Sequence, residues 1–372
     1  MIDRDPERGP IFVVGVARSG TTLLRYMLCG NPRLYLAPES NFIPRFFRKH
    51  PTEPIPRDRA TRILSRISGY HTFWRDWQGD PPDPDELIEG LDPLTPGALV
   101  DSLYSRYAAQ YGASRWGDKS TIYPAWIELF VRMFPTCQIV HVIRDVRDVT
   151  VSSLDAYRGA RFFYMDAYYA SRMWKERLGT AIEAGRRLPP TQYHEIRYEE
   201  LTADPEAKLH ELCAFLGEEF HPAMLSPSKE ALKHYHAFGI HRMVRTDVTT
   251  ARSGRWKRDL SPEDQRIVQR VAGTTLEGLG YRIEDLGRMG PSERLRAFGL
   301  HVKFTLSNGI RRILRAVGVF NPARLLLRLP RRRPADPGLP TDRAGARAAP
   351  VSFDGGTPAE PAPTGASDGE SR

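Results

Sequence analysis

A chain of 372 residues, 41% hydrophobic and 10% aromatic, can hold one large α/β domain with extensions or two small domains. Its net charge of +9 is local: residues 287–333 carry 12 Lys/Arg against one acid, residues 334–372 carry three Arg against six acids, and the remainder is near neutral, so the globular part calls for no nucleic acid. The charged start MIDRDPERGP lacks the apolar run of a signal peptide, and no stretch reaches the roughly 20 apolar residues of a membrane span.

In chain order, an apolar run at 11–16 predicts a strand and Thr21–Cys29 a helix, with a second strand at Leu34–Ala37. Residues 45–117 are rich in proline and aromatics ("GYHTFWRDWQ", "DPPDPDE") and read as a helical insertion over the sheet, a candidate acceptor lid. Lys119 then falls in a turn, "RWGDKST", ahead of a helix at Pro124–Met133. A strand at Gln138–Ile143 and a helix at Val146–Tyr157 follow, then a helix at Asp166–Arg187, a strand at Gln192–Tyr198 and a helix at Pro205–Leu216. The helix at Pro262–Leu279 opens Ser261-Pro262-Glu263-Asp264, a cap, a first-position proline and two acids over the dipole. The alternation predicts an α/β fold, a P-loop-like parallel sheet flanked by helices, over residues 1–286. A basic helical extension covers 287–333, and 334–372 is predicted disordered.

The first strand runs into "GVARSGTT". Gly15 and Gly20 have the spacing of a phosphate-binding loop, but Thr21-Thr22 stand where that loop needs lysine and a hydroxyl residue. Backbone amides of the loop, through Ser19 and Gly20, and the helix dipole still make an anion site, with Thr21 and Thr22 as hydroxyl donors and Arg18 as the cation. A strand-turn-helix with a plain glycine turn is the alternative. In "CQIVHVIRDVRDVTVSSL", Arg144 leaves the carboxyl end of a strand and Ser152 lies eight positions on, a pair able to grip a second phosphate remote from the first. A salt-bridge cluster among Arg144, Asp145, Arg147 and Asp148 is the competing reading. Neither the three separated cysteines, read as reduced cytosolic thiols, nor His234, His236 and His241 match a metal-ligand spacing, so no metal is assigned.

"GVARSGTTLLRYML" resembles the 5′-phosphosulfate loop of sulfotransferases, and "VIRDVRDVTVSS" is similar to their 3′-phosphate motif; "IRYEEL" and "SGRWKRDLSPED" fit in order. "GNPRLYLAPESNFIP" resembles the tyrosylprotein-sulfotransferase branch and its bacterial relatives. The resemblance implies 3′-phosphoadenosine 5′-phosphosulfate (PAPS) as sulfuryl donor, 3′-phosphoadenosine 5′-phosphate as product and a hydroxyl acceptor: a carbohydrate, lipid, phenol or tyrosine. It implies Glu39 as catalytic base, Lys119 and Arg18 as cations on the leaving oxygen, and Arg144 with Ser152 on the 3′-phosphate. It also places Tyr198 by the adenine or ribose and Arg255, in "SGRWKRDL", as a clamp at the 3′ end. The branch has a further arginine where this chain has Ala156; either Arg158 nearby substitutes for it or the donor is held by fewer charges.

Two alternatives stand beside this: a kinase or NTPase loop lacking its lysine, and a membrane- or RNA-binding protein acting through its basic segment. That segment sets apolar residues at 295, 298, 302, 306, 310, 313, 314 and 317 against Arg294, Lys303, Arg311, Arg312 and Arg315, the pattern of a membrane-surface helix; helices packed on the domain with their arginines in solvent are the alternative. The expected location is cytoplasmic, peripheral to the inner membrane face if that helix binds lipid. Tyr70, Phe73, Trp74 and Trp77 either line an acceptor site or pack the insertion.

Overall fold

The computed structural model describes residues 8–74, 76–157, 165–226 and 250–316. Arg158, the three histidines from His234 to His241, residues 317–333 and the tail 334–372 lie outside the described residues.

Strands β1 (Ile11–Gly15), β2 (Leu34–Ala37), β3 (Arg115–Ser120), β4 (Gln138–Ile143) and β5 (Tyr193–Arg197) form one sheet in the order β2-β3-β1-β4-β5. Every pairing is parallel. The chain leaves β1 towards β2 on one side and leaves β4 towards β5 on the other. The loops after these two neighbouring strands therefore diverge, opening a crevice at the carboxyl edge of the sheet, where open α/β sheets bind ligands.

Helix α1 (Thr21–Leu28) follows β1, and α2 (Ile43–Phe47), α3 (Arg57–Ile67), α4 (His71–Trp74), α5 (Pro84–Ile88) and α6 (Pro96–Ala109) make up the insertion. Then come α7 (Ile127–Met133), α8 (Val146–Tyr157), α9 (Ala167–Gly185), α10 (Tyr198–Ala203) and α11 (Pro205–Leu216). Helices α12 (Trp256–Asp259), α13 (Pro262–Gly278) and α14 (Pro291–Ala316) close the described chain. The cap read from the sequence is formed: the Ser261 side chain accepts from the Asp264 amide, with Pro262 in the first turn.

Because side chains alternate along a strand, Phe12 and Val14 face a core shared with the insertion, including Phe73, Tyr104, Tyr107 and Phe130. Ile11 and Val13 face the other core, built with Leu24, Met27, Leu209 and Leu212. A third cluster joins Val146 and Val149 to Trp174, Trp256 and Ile267. The compact unit runs to Arg311, so most of α14 packs with the domain.

The "RWGDKS" segment differs from its expectation. It is a fully buried strand between β1 and β2, not a turn. Its polar residues are buried because each is matched: Arg115 donates to the carbonyls of Gly9 and Leu216 and pairs with Glu218.

Candidate active site

The loop between β1 and α1 has two residues in left-handed conformation, Arg18 (φ 74°) and Gly20 (φ 97°). Glycine is required at 20 for space as well: a Cβ there would lie 2.3 Å from the Tyr198 ring. Arg18 carries a side chain into a conformation that disfavours one, a strain of the kind concentrated at functional sites. Helix α1 begins with no side-chain cap and no acid in its first turn, so its leading amides and the positive end of its dipole face the loop. Ser19 and Thr21 are buried beside them, Thr22 is half-buried, and the Ser19 hydroxyl has no partner among the described residues.

At the end of β4, Arg144 is 5% exposed and stacks its guanidinium 4.1 Å from the Tyr198 ring centroid. Its terminal nitrogens donate to the carbonyls of Arg18 (2.9 Å) and Arg252 (2.8 Å), while its buried Nε has no partner. Arg144 thus ties the loop to the segment carrying Ser253 and Arg255. The salt-bridge cluster weighed against the phosphate motif is partly present: Arg147 pairs with Asp145 at 2.7 Å and lies over Trp256. Asp148 instead accepts from the amides of Gly254 and Trp256, and burial raises its pKa. Ser152, in α8, accepts from Arg18 Nε at 3.0 Å. The two predicted phosphate motifs therefore touch, whereas the sequence reading put them apart.

The third part sits where β2 and β3 end. Lys119 Nζ and Glu39 Oε1 are 2.6 Å apart; the lysine side chain is buried and the carboxylate about two-thirds covered. Lys119 lies in register with Val13 of β1, so this pair and the loop occupy the same edge of the sheet. Beneath the pair is Asp118, fully buried. Its carboxylate accepts from Ser40 Oγ (2.7 Å), Tyr104 OH (2.7 Å), Tyr123 OH and the Lys119 amide (2.7 Å). Burial raises the Asp118 pKa and these donors pull it back. Asp118 therefore fastens Ser40, next to Glu39, to the strand that bears Lys119.

Two of the expected residues have protein partners that the sequence does not show. Arg255 gives its guanidinium to Asp155 (3.0 Å) and Asp259 (2.7 Å), acting as a brace for α12 in this conformation. Tyr198 opens α10 rather than ending a strand, and its ring lies against Gly20 and under Arg144. Of the insertion aromatics, Phe73 is core. Trp74 lines a groove with Leu64, Pro81, Pro84 and Leu87. Ser40, Tyr104 and Tyr123 went unrecognised in the sequence because they act through Asp118, not on a ligand.

A family model described as the sulfotransferase family matches residues 10–222, a span covering the loop, Glu39, Lys119, Arg144, Ser152 and Tyr198. The chain belongs to the sulfotransferase family. A Caenorhabditis briggsae protein, provisionally named a protein-tyrosine sulfotransferase, is 23% identical over 73% of this chain and 88% of its own length. The Mycobacterium tuberculosis omega-hydroxy-beta-dihydromenaquinone-9 sulfotransferase is 25% identical over 56% of this chain. This chain spans 62% of that enzyme, and 26% of the length of an uncharacterised Aquifex aeolicus protein to which it is 26% identical. Among solved structures, the sulfotransferase domain of the Synechococcus PCC 7002 olefin synthase superposes with a TM-score of 0.51 at 22% identity. That match covers 76% of this chain and all of the domain, and it establishes the shared fold.

Proposed function

We propose that this sulfotransferase moves a sulfuryl group from PAPS to an acceptor hydroxyl by in-line attack. The observation that carries the reading is the Glu39–Lys119 pair, held at the same sheet edge as an anion loop whose cation is Arg18. The chain's polar groups fit such a donor. Ser19 Oγ, Arg144 Nε and Ser253 Oγ are buried without partners among the described residues, and unmatched buried donors of this kind are stabilised by a polyanionic ligand. The loop amides with Thr21 and Thr22 would hold its 5′ end, and Arg144 with Ser152 its 3′-phosphate. When bound, PAPS supplies an electrophilic sulfur with a phosphate as leaving group.

The remaining work belongs to the protein. Glu39 accepts the proton of the acceptor hydroxyl as the hydroxyl oxygen attacks. That proton cancels the carboxylate charge paired with Lys119. The ammonium is then left to stabilise the negative charge growing on the leaving oxygen, alongside Arg18. Proton uptake and charge stabilisation are thereby coupled through one hydrogen bond.

Calorimetric titration with 3′-phosphoadenosine 5′-phosphate, beside ATP with Mg²⁺, tests the donor assignment. Binding of the first and not the second is expected. The reverse would assign the loop to nucleotide hydrolysis and end this reading.

A further inference from the structure

Among the described residues, six large apolar side chains are exposed, and five of them are on α14: Leu295, Phe298, Val302, Leu306 and Ile310. Their exposures run from 37% at Val302 to 72% at Leu295. With 3.6 residues per turn they fall in one stripe about 120° wide. Ala297 and Phe304, on the opposite side, are buried, Phe304 against Tyr168 and Tyr169. The helix is also fastened by Glu293 to Arg266 and by Arg296 to Glu263 and Asp264. Its orientation is therefore set, and the apolar stripe faces outwards.

Such a stripe is costly in water unless something covers it. Its edges indicate what does. Arg294 flanks it on one side, Arg296 and Lys303 on the other, all three exposed. The segment 287–333 that contains it holds 12 Lys/Arg against one acid. Pairing the stripe with that of a second copy would bring two such segments together; an anionic surface would neutralise them. No helix among the described residues is long and apolar enough to cross a membrane, so the fitting arrangement is a helix lying in the interface.

We propose that α14 seats the protein on an anionic phospholipid surface, with Leu295, Phe298, Val302, Leu306 and Ile310 entering the headgroup layer and Arg294 and Lys303 reaching lipid phosphates. The inference does not depend on the transfer reaction. The full chain is tested by flotation with phosphatidylcholine vesicles made with and without phosphatidylglycerol, beside the double variant Phe298→Glu/Leu306→Glu. The wild type is expected to prefer the anionic vesicles by about tenfold or more, and the variant to lose that binding with an unchanged thermal midpoint. Equal binding to both vesicles, or a variant that binds like the wild type, overturns the proposal. So does a wild type that ignores vesicles but forms dimers the variant abolishes, which would assign the stripe to a second copy. Should the double variant misfold, Phe298→Trp supplies the test: quenching of its added emission by brominated anionic lipid is expected, and none would overturn the proposal.

Discussion

Glu39 and Lys119 are 80 positions apart in sequence and meet in one short hydrogen bond. Replacing Glu39 with glutamine keeps the shape and a partner for Lys119 but removes the basic oxygen. Turnover should fall by about 10²- to 10⁴-fold while calorimetric affinity for 3′-phosphoadenosine 5′-phosphate is retained. Near-normal turnover would remove Glu39 as the base. Arg144 makes a separable claim. It braces the loop through the Arg18 carbonyl whichever nucleotide is bound, but only a 3′-phosphate would engage its unpartnered Nε. Arg144→Ala should therefore weaken binding of the 3′-phosphorylated product about 10- to 100-fold more than binding of its 3′-dephospho analogue. Equal losses would make Arg144 a structural brace alone.

At the scale of elements, β1, β2 and β4 were legible because their apolar runs are bounded by turn residues, and β5 was expected although its sequence YHEIR is mixed. β3 was not. "RWGDKS" has neither apolar alternation nor strand propensity; it is a strand because Arg115 and Asp118 find buried partners, among them Gly9, Leu216 and Ser40 from segments distant in sequence. The loop and the Arg144–Ser152 motif were readable locally, since each needs only its own strand and helix. The contact between them, and the diversion of Arg255 to Asp155 and Asp259, depend on how separate helices pack. Asp118 gives the strand its own test. Asparagine there places an NH₂ group among donors that now share a carboxylate, leaving at least one buried donor unmatched. Asp118→Asn should lose about 1–3 kcal/mol in urea unfolding and lower kcat with it, because Ser40 and the adjoining Glu39 lose their anchor. An unaltered kcat in the folded variant would show that Glu39 is positioned without Asp118.

For the whole molecule, acid stability depends on a group outside the site. His141 lies in the middle of β4, fully buried, with Nδ1 bonded to the Tyr193 hydroxyl at 2.6 Å and Nε2 without a partner among the described residues. Burial pushes its pKa from 6.5 down to about 3. Between these two values the unfolded chain takes up a proton that the folded protein refuses. This contribution to stability is complete above the unfolded pKa and declines as pH falls, by about 1.4 kcal/mol per pH unit until the folded pKa is reached. Asp118, Asp148 and Glu199 act in the opposite sense, because burial raises their pKa values and their protonated forms are favoured by folding. The net pH dependence therefore mixes both signs, and a variant is needed to isolate the histidine. Comparing urea unfolding at about pH 7 and about pH 5, the wild type should lose about 2 kcal/mol more than His141→Gln, whose side chain does not titrate. Identical losses in the two proteins would mean that the imidazole gains its proton without unfolding, and that the centre of the sheet is open to water.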